Sequence, residues 1–189
     1  MMLATPATAP AHKAGGPHRL HWVLLAVYVI LWAALAVSPV DRTDWLLENL
    51  LAVSTVAVLL LTYRRFAFSD LSYILITTFM ILHAVGAHYT YSKVPFGFWM
   101  KDVFDLSRNH FDRIVHFTFG FLLAYPAYEL FLRAAKIART WALLMAAIAV
   151  ISLSGIFEVV ESWSPRWRAL NSVMPIWARK ETSGMLRKI

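Results

Sequence analysis

Ionisable and amide side chains are few in this chain, and many of them fall near the same end of hydrophobic segments: Glu48 and Asn49, His83 and His88, Arg108 and Asn109, Asp112, Arg113 and His116, Glu158 and Glu161. Charge inside a bilayer is costly, so such residues mark either a site or a buried pair. Carboxylate, imidazole and guanidinium groups at one depth supply a proton acceptor, a proton donor and an anion ligand. The expectation is one shared polar pocket. Its catalytic candidates are Asp112, Arg113, His116, Glu158 and Glu161, and its substrate-binding candidates are Glu48, Asn49, His83, His88, Arg108 and Asn109.

The spacings refine these roles. Asp112 and His116 are four apart on one helical face, where a carboxylate fixes the imidazole tautomer. Asn109 and Asp112 also have the spacing of a capping box, the structural alternative for the aspartate. Glu158 and Glu161, three apart, share a face and raise each other's pKa unless a cation such as Arg113 or a metal lies between them; the bland alternative for Glu161 is an end that snorkels to water. Thr43 and Asp44 can cap the second helix, but Glu48 lies a turn further in, where capping does not account for it. His83 and His88 are five apart and share a ligand only if the helix unwinds near Gly86. Tyr89 and Tyr91 suit an interfacial aromatic belt.

Composition sets the class that must position these groups. The chain has 189 residues, 59% apolar and 15% charged, with a mean hydropathy of +0.58. A soluble domain carries about a quarter charged residues, so this is an integral membrane protein. Cysteine is absent, which excludes disulfides, Cys-ligated metal and a thiol nucleophile. No cofactor is specified, and metal chemistry would need His and carboxylate.

A helical span needs about 20 mostly apolar residues. Stretches near 20–38, 45–63, 71–90, 111–132 and 140–163 qualify, so the fold class is all-α, a polytopic membrane helical bundle of about five transmembrane helices. Residues 1–19 read as a disordered tail and 20–163 as the membrane domain. Pro126 predicts a kink in the fourth span, because the Leu122 carbonyl loses its helical donor. Lys and Arg favour the cytoplasmic side of short loops. Arg64 and Arg65, then Arg133, Lys136 and Arg139, put the N-terminus and those two loops in the cytoplasm and the polar pocket at the outer leaflet.

The segments DRTDWLLENLL (41–51), LHAVGAHYTYSKVP (82–95), RNHFDRIVHFTFG (108–120) and YELFLR (128–133) together resemble the YjdF-type bacterial inner-membrane family, over about 40–163. The resemblance implies a polytopic inner-membrane protein and names no reaction. The order D-R-x-x-H-F, a Glu-bearing helix and an Asp motif is also similar to the VanZ-like family linked to glycopeptide resistance.

After Trp163 the chain departs from the YjdF-type pattern, which implies a Gly- and Asp-rich motif similar to LGTQGDVWDAQKD and a further helix. Residues 164–189 instead hold six Lys or Arg against one acid, +5 of the net +7, whereas residues 20–163 hold ten of each. Allowed codons for Ala169 to Ile189, read in a shifted frame, can encode PELGDAYLGTQGDVWDAQKD. This predicts a frameshift between Trp163 and Ala169 and an incomplete site. The basic tail can lie on anionic headgroups. Nucleic-acid binding, the other use of basic residues, is discounted because the tail emerges outside.

Two functional classes remain. One is a membrane enzyme or binding site for a lipid or lipid-linked substrate, with Glu158 or His116 as base and Arg113 on an anionic group. The other is a transporter of a proton, cation or small solute; a purely structural role stands behind both. The cytoplasmic halves of the spans are almost wholly apolar, with runs such as VAVLLL (56–61) and WALLMAAIAV (141–150), which favours a one-sided site.

Overall fold

The computed structural model describes residues 19–159, all of whose regular structure is helical. The tails expected at 1–19 and 164–189 lie outside the described residues, except that Arg19 opens α1; Glu161 also lies outside them. α1 spans Arg19–Leu35, α2 Arg42–Thr62, α3 Asp70–His88, α4 Pro95–Val103 and α5 Phe111–Glu129. α6 spans Arg139–Val159. Four of these, α2, α3, α6 and α5 with its extension to Ala134, are long and apolar enough to cross a membrane. α1, the expected first span, is apolar and shorter, with 17 described residues, about 25 Å at the helical rise, at the lower end of the range for a span. The chain is a helical membrane bundle.

α3 is its axis. Half of α3's membrane-length window is buried, against 17% in the other three spans, because α1, α2 and α5 all pack on it. Phe79, Met80, Ala84, Phe111 and Val115 form the α3–α5 seam. α6 adds a buried stripe four residues apart, Ala142, Ala146 and Val150, and Gly120 of α5 lies against Val150.

Several local expectations change. The cap of α2 is Asp41, whose carboxylate accepts from the Thr43 and Asp44 amides at 2.8 and 3.0 Å, rather than Thr43 with Asp44. α5 continues as a helix through Pro126 to Glu129 and passes directly into a π-turn at Leu130–Ala134, closed by the Ala135 amide on the Leu130 carbonyl, which the sequence did not predict. The 91–110 loop contains α4, with Pro95 in its first turn and Phe96, Phe98 and Trp99 exposed. An amphipathic helix with exposed aromatic residues is a type that suits a membrane interface.

The elements alternate in direction. The end of α1, start of α2, end of α3 and start of α5 meet at one pole of the bundle, called here the Tyr91 end. The opposite pole, the Glu129 end, gathers the start of α1, the end of α2, the start of α3 and the end of α5.

Candidate functional site

At the Tyr91 end the chain leaves α3 through two non-glycine residues in left-handed backbone, Thr90 (φ 53°) and Tyr91 (φ 52°). That conformation costs a β-branched or aromatic residue about 1–2 kcal/mol. It folds Tyr91 back over α3, where its amide meets the Gly86 carbonyl at 2.7 Å. A side-chain carbon at Gly86 would overlap the Tyr91 ring, so glycine is what lets the ring lie down.

The folded-back hydroxyl sits 2.8 Å from His83 Nδ1 and 3.3 Å from Glu48 Oε2. His83 Nε2 faces the Glu48 main-chain carbonyl at 3.2 Å. A carbonyl can only accept, so Nε2 carries a proton and donates. Tyr91 has one hydroxyl hydrogen for two polar contacts. Both become hydrogen bonds only with a second proton, held either by the Glu48 carboxyl or by His83 Nδ1. Glu48, Tyr91 and His83 can therefore exchange these two forms by shifting protons along one short path. His83 is almost wholly buried, Tyr91 buried and Glu48 half-buried.

Tyr91 also lines an open cleft of about 550 Å³ between the 90–92 turn, α4 and the start of α5. Its lining includes Lys101, Arg108 and Arg113, against one carboxylate, Asp112. Asp112 holds His116 at 3.3 Å, and the His116 ring approaches Phe157 of α6 at 5.8 Å. The expected capping box does not form. Asn109 accepts from the Phe111 amide at 2.9 Å, donates to the Val94 carbonyl at 3.0 Å and fills the space above Gly97. His110 also lines the cleft, with a buried Nδ1 that has no partner among the described residues. Partial burial, with the Arg113 and Arg108 guanidiniums nearby, holds its imidazole below the ordinary histidine range.

The sequence candidates thus divide. Glu48 and His83 share one constellation, and Arg108, Asn109, Asp112 and Arg113 share the cleft beside it, with His116 behind Asp112. Asn49 is engaged elsewhere: it accepts from the Trp32 indole and donates to the Trp45 carbonyl at 2.6 Å, tying α1 to α2. His88 donates to the Leu35 carbonyl at 2.7 Å, and α3 stays helical past Gly86, so the two histidines serve different partners. Glu158 lies at this same end of α6 but is exposed. Tyr91 is buried rather than part of an interfacial belt. Its position follows from the glycine five residues earlier, a spacing that carries little signal on its own.

The Glu129 end is the larger omission of sequence reasoning. Glu129 is buried and accepts from the Ser69 amide and hydroxyl, both at 2.8 Å, from the Ser72 hydroxyl and from Arg133. Arg133 also donates to the Ala67 carbonyl at 3.1 Å and stacks over Phe66. Nearby, His21 Nε2 donates to Asp70 at 2.8 Å while Nδ1 meets the Tyr63 hydroxyl at 2.9 Å. The apolar runs on this side conceal these groups. The available signal was an acid four residues before an arginine in YELFLR, inside a hydrophobic stretch. Among the described residues, no three His, Asp or Glu side chains gather as metal ligands would.

Helical spans around a polar end define the class: a multi-pass helical membrane protein of the kind built around α3. The family described as Predicted membrane protein (DUF2238) matches residues 20–175, and the chain belongs to it. The matched stretch is wider at both ends than the 40–163 of the motifs and runs past Trp163. One relative, Inner membrane protein YjdF of Escherichia coli (strain K12), is 33% identical over 129 residues, 68% of this chain and 62% of the relative. The chain therefore matches less than two thirds of that relative's length. No solved structure matches.

Proposed function

We propose that the cleft beside Tyr91 takes the phosphate-bearing head of a lipid or lipid-linked substrate at the outer leaflet of a bacterial inner membrane. The carrying observation is the lining: Lys101, Arg108 and Arg113 against Asp112, at the level where the spans end. Arginine suits phosphate because its planar fork donates two parallel hydrogen bonds. His116, oriented by Asp112, is placed beside the cleft to accept a proton in a chemical step. The orientation rests on Arg64, Arg65, Arg133, Lys136 and Arg139 clustering toward the Glu129 end. The compartment rests on the name of the Escherichia coli relative.

The test is binding of short-chain phosphatidic acid, short-chain phosphatidylcholine and inorganic phosphate to the purified chain, followed by calorimetry. Phosphatidic acid should bind tightest, and Arg113→Gln should weaken it about tenfold, the equivalent of 1.4 kcal/mol. Equal binding by the wild type and by Arg113→Gln and Arg108→Gln variants would exclude the cleft. If inorganic phosphate matches the lipid, the ligand is a soluble anion instead.

A second reading, passage of a proton or small cation, draws support from the polar groups at both poles, Glu48 with His83 and Glu129 with His21. Proton flux in vesicles that is lost in Glu48→Gln would favour it. The frame change between Trp163 and Ala169 belongs to the same proposal, since restored downstream residues would complete the pocket. DNA whose shifted frame lacks the Gly- and Asp-rich motif would remove it.

A further inference from the structure

α1 and α2 are consecutive, yet each packs on α3 and scarcely on the other. They are bridged at both ends. Trp32 donates to Asn49 at the Tyr91 end, and His21 meets Tyr63 at the Glu129 end. Between the bridges lies a groove of about 390 Å³, within the roughly 300–1,000 Å³ typical of ligand pockets. Its walls are apolar, with Leu24, Leu25, Val56, Leu59, Ile76 and Met80, and its mouth carries His21, Tyr63 and Arg64. Tyr28 also lines it, and that buried hydroxyl has no hydrogen-bond partner among the described residues.

We propose that this groove is a specific site for one anionic phospholipid, whose acyl chain lies between α1 and α2 and whose headgroup meets Arg64. The bridges at His21 and Trp32 stand about 16 Å apart at the helical rise along α1, room for an extended acyl segment. Between the bridges the apolar walls are left uncovered by protein, and such walls favour an occupant that shuns water. Charge complementarity selects the head. Arg64 is exposed beside Arg65, while the Asp70 carboxylate at this pole is engaged by His21. A basic residue at the membrane surface favours an anionic lipid by about 1 kcal/mol, or roughly fivefold. The site is at the opposite pole from the Tyr91 cleft and stands independently of it.

The test uses the full chain in detergent, titrated with palmitoyl-oleoyl phosphatidylglycerol or the matching phosphatidylcholine, with bound lipids counted by native mass spectrometry. One phosphatidylglycerol should persist under activation that strips the rest. Leu59→Trp and Val56→Phe, which fill the groove, should lower its retention about tenfold, equivalent to 1.4 kcal/mol. Arg64→Gln, at an exposed position, should abolish the preference over phosphatidylcholine without altering the fold. That readout remains if a groove-filling variant does not assemble. Equal retention across all variants means an unselective lipid annulus and overturns the site. A wild-type dimer without lipid that Leu59→Trp dissociates makes a second copy the occupant and overturns it equally. A lipid held at the Tyr91 cleft depends on Arg113 instead, so an adduct lost in Arg113→Gln but kept in Arg64→Gln and Leu59→Trp overturns the groove while leaving the cleft standing, and the reverse pattern separates the two the other way.

Discussion

The two poles of the bundle use the same side-chain types to different ends. At the Glu129 pole, four donor contacts meet one carboxylate: the Ser69 amide, two serine hydroxyls and Arg133. An ionised carboxylate offers about four acceptor positions, so this group is saturated. It clamps the start of α3 to the end of α5. At the Tyr91 pole the count does not close in the same way. The Tyr91 hydroxyl makes two contacts, with Glu48 and with His83 Nδ1, that need two protons where the tyrosine brings one. Hydrogen-bond arithmetic, rather than residue type, separates a fastening from a group that can exchange protons.

Removing the clamp should have the largest effect. Glu129→Ala takes the acceptor from the Ser69 amide and from the Ser69 and Ser72 hydroxyls, while exposed Arg133 keeps the Ala67 carbonyl; inward polar groups so stranded cost about 3 kcal/mol in sum. A fall of several degrees in the unfolding midpoint of the purified protein is expected. An unchanged midpoint would mean that the clamp does not hold this pole. The next effect belongs to the other pole. Gly86→Ala drives a methyl group into the Tyr91 ring and should destabilise by about 2 kcal/mol while expelling the hydroxyl from His83. A variant as stable as the wild type would show that the ring does not lie on α3.

Smaller substitutions sharpen the contrast between the two tyrosines. Tyr91→Phe keeps the shape and strands buried His83 Nδ1, for about 1–2 kcal/mol, whereas Tyr63→Phe, at a partly exposed position, should cost about 0.5 kcal/mol. Equal losses in chemical denaturation would erase the distinction. The smallest effect concerns His110. Its folded imidazole binds a proton less readily than the unfolded one, so its contribution is complete above about pH 6.5 and is lost as acid is added through its lowered folded value. His110→Gln should remove that part of the acid destabilisation between pH 7 and 5. Identical pH profiles would place the loss on other groups.

Much of the fold was legible because apolar runs of membrane length leave few alternatives to helices. The elements that escaped are short or weakly periodic: α4 within an apparent loop, and the π-turn after Glu129 where Pro126 alone predicted a kink. The site was legible in part. Glu48, His83, Arg108, Asp112 and Arg113 stand out as polar residues at one pole, and geometry brings them to two adjoining places. Asn49 and His88 carry the same sequence signal and are used to bind helices together. Tyr91, Glu129 and His21 were obscured because belt tyrosines, terminal charges and tail histidines look alike in one dimension.

The amino-acid sequence by itself determined the membrane class, the approximate spans and one of the two poles at which polar groups gather, because partition between water and hydrocarbon acts on each segment separately. Tertiary structure alone decided which of those groups meet. A hydrogen bond depends on direction and on distances of a few tenths of an ångström, and these arise when α1, α2 and α5 settle on α3, and when a left-handed turn folds Tyr91 back across Gly86.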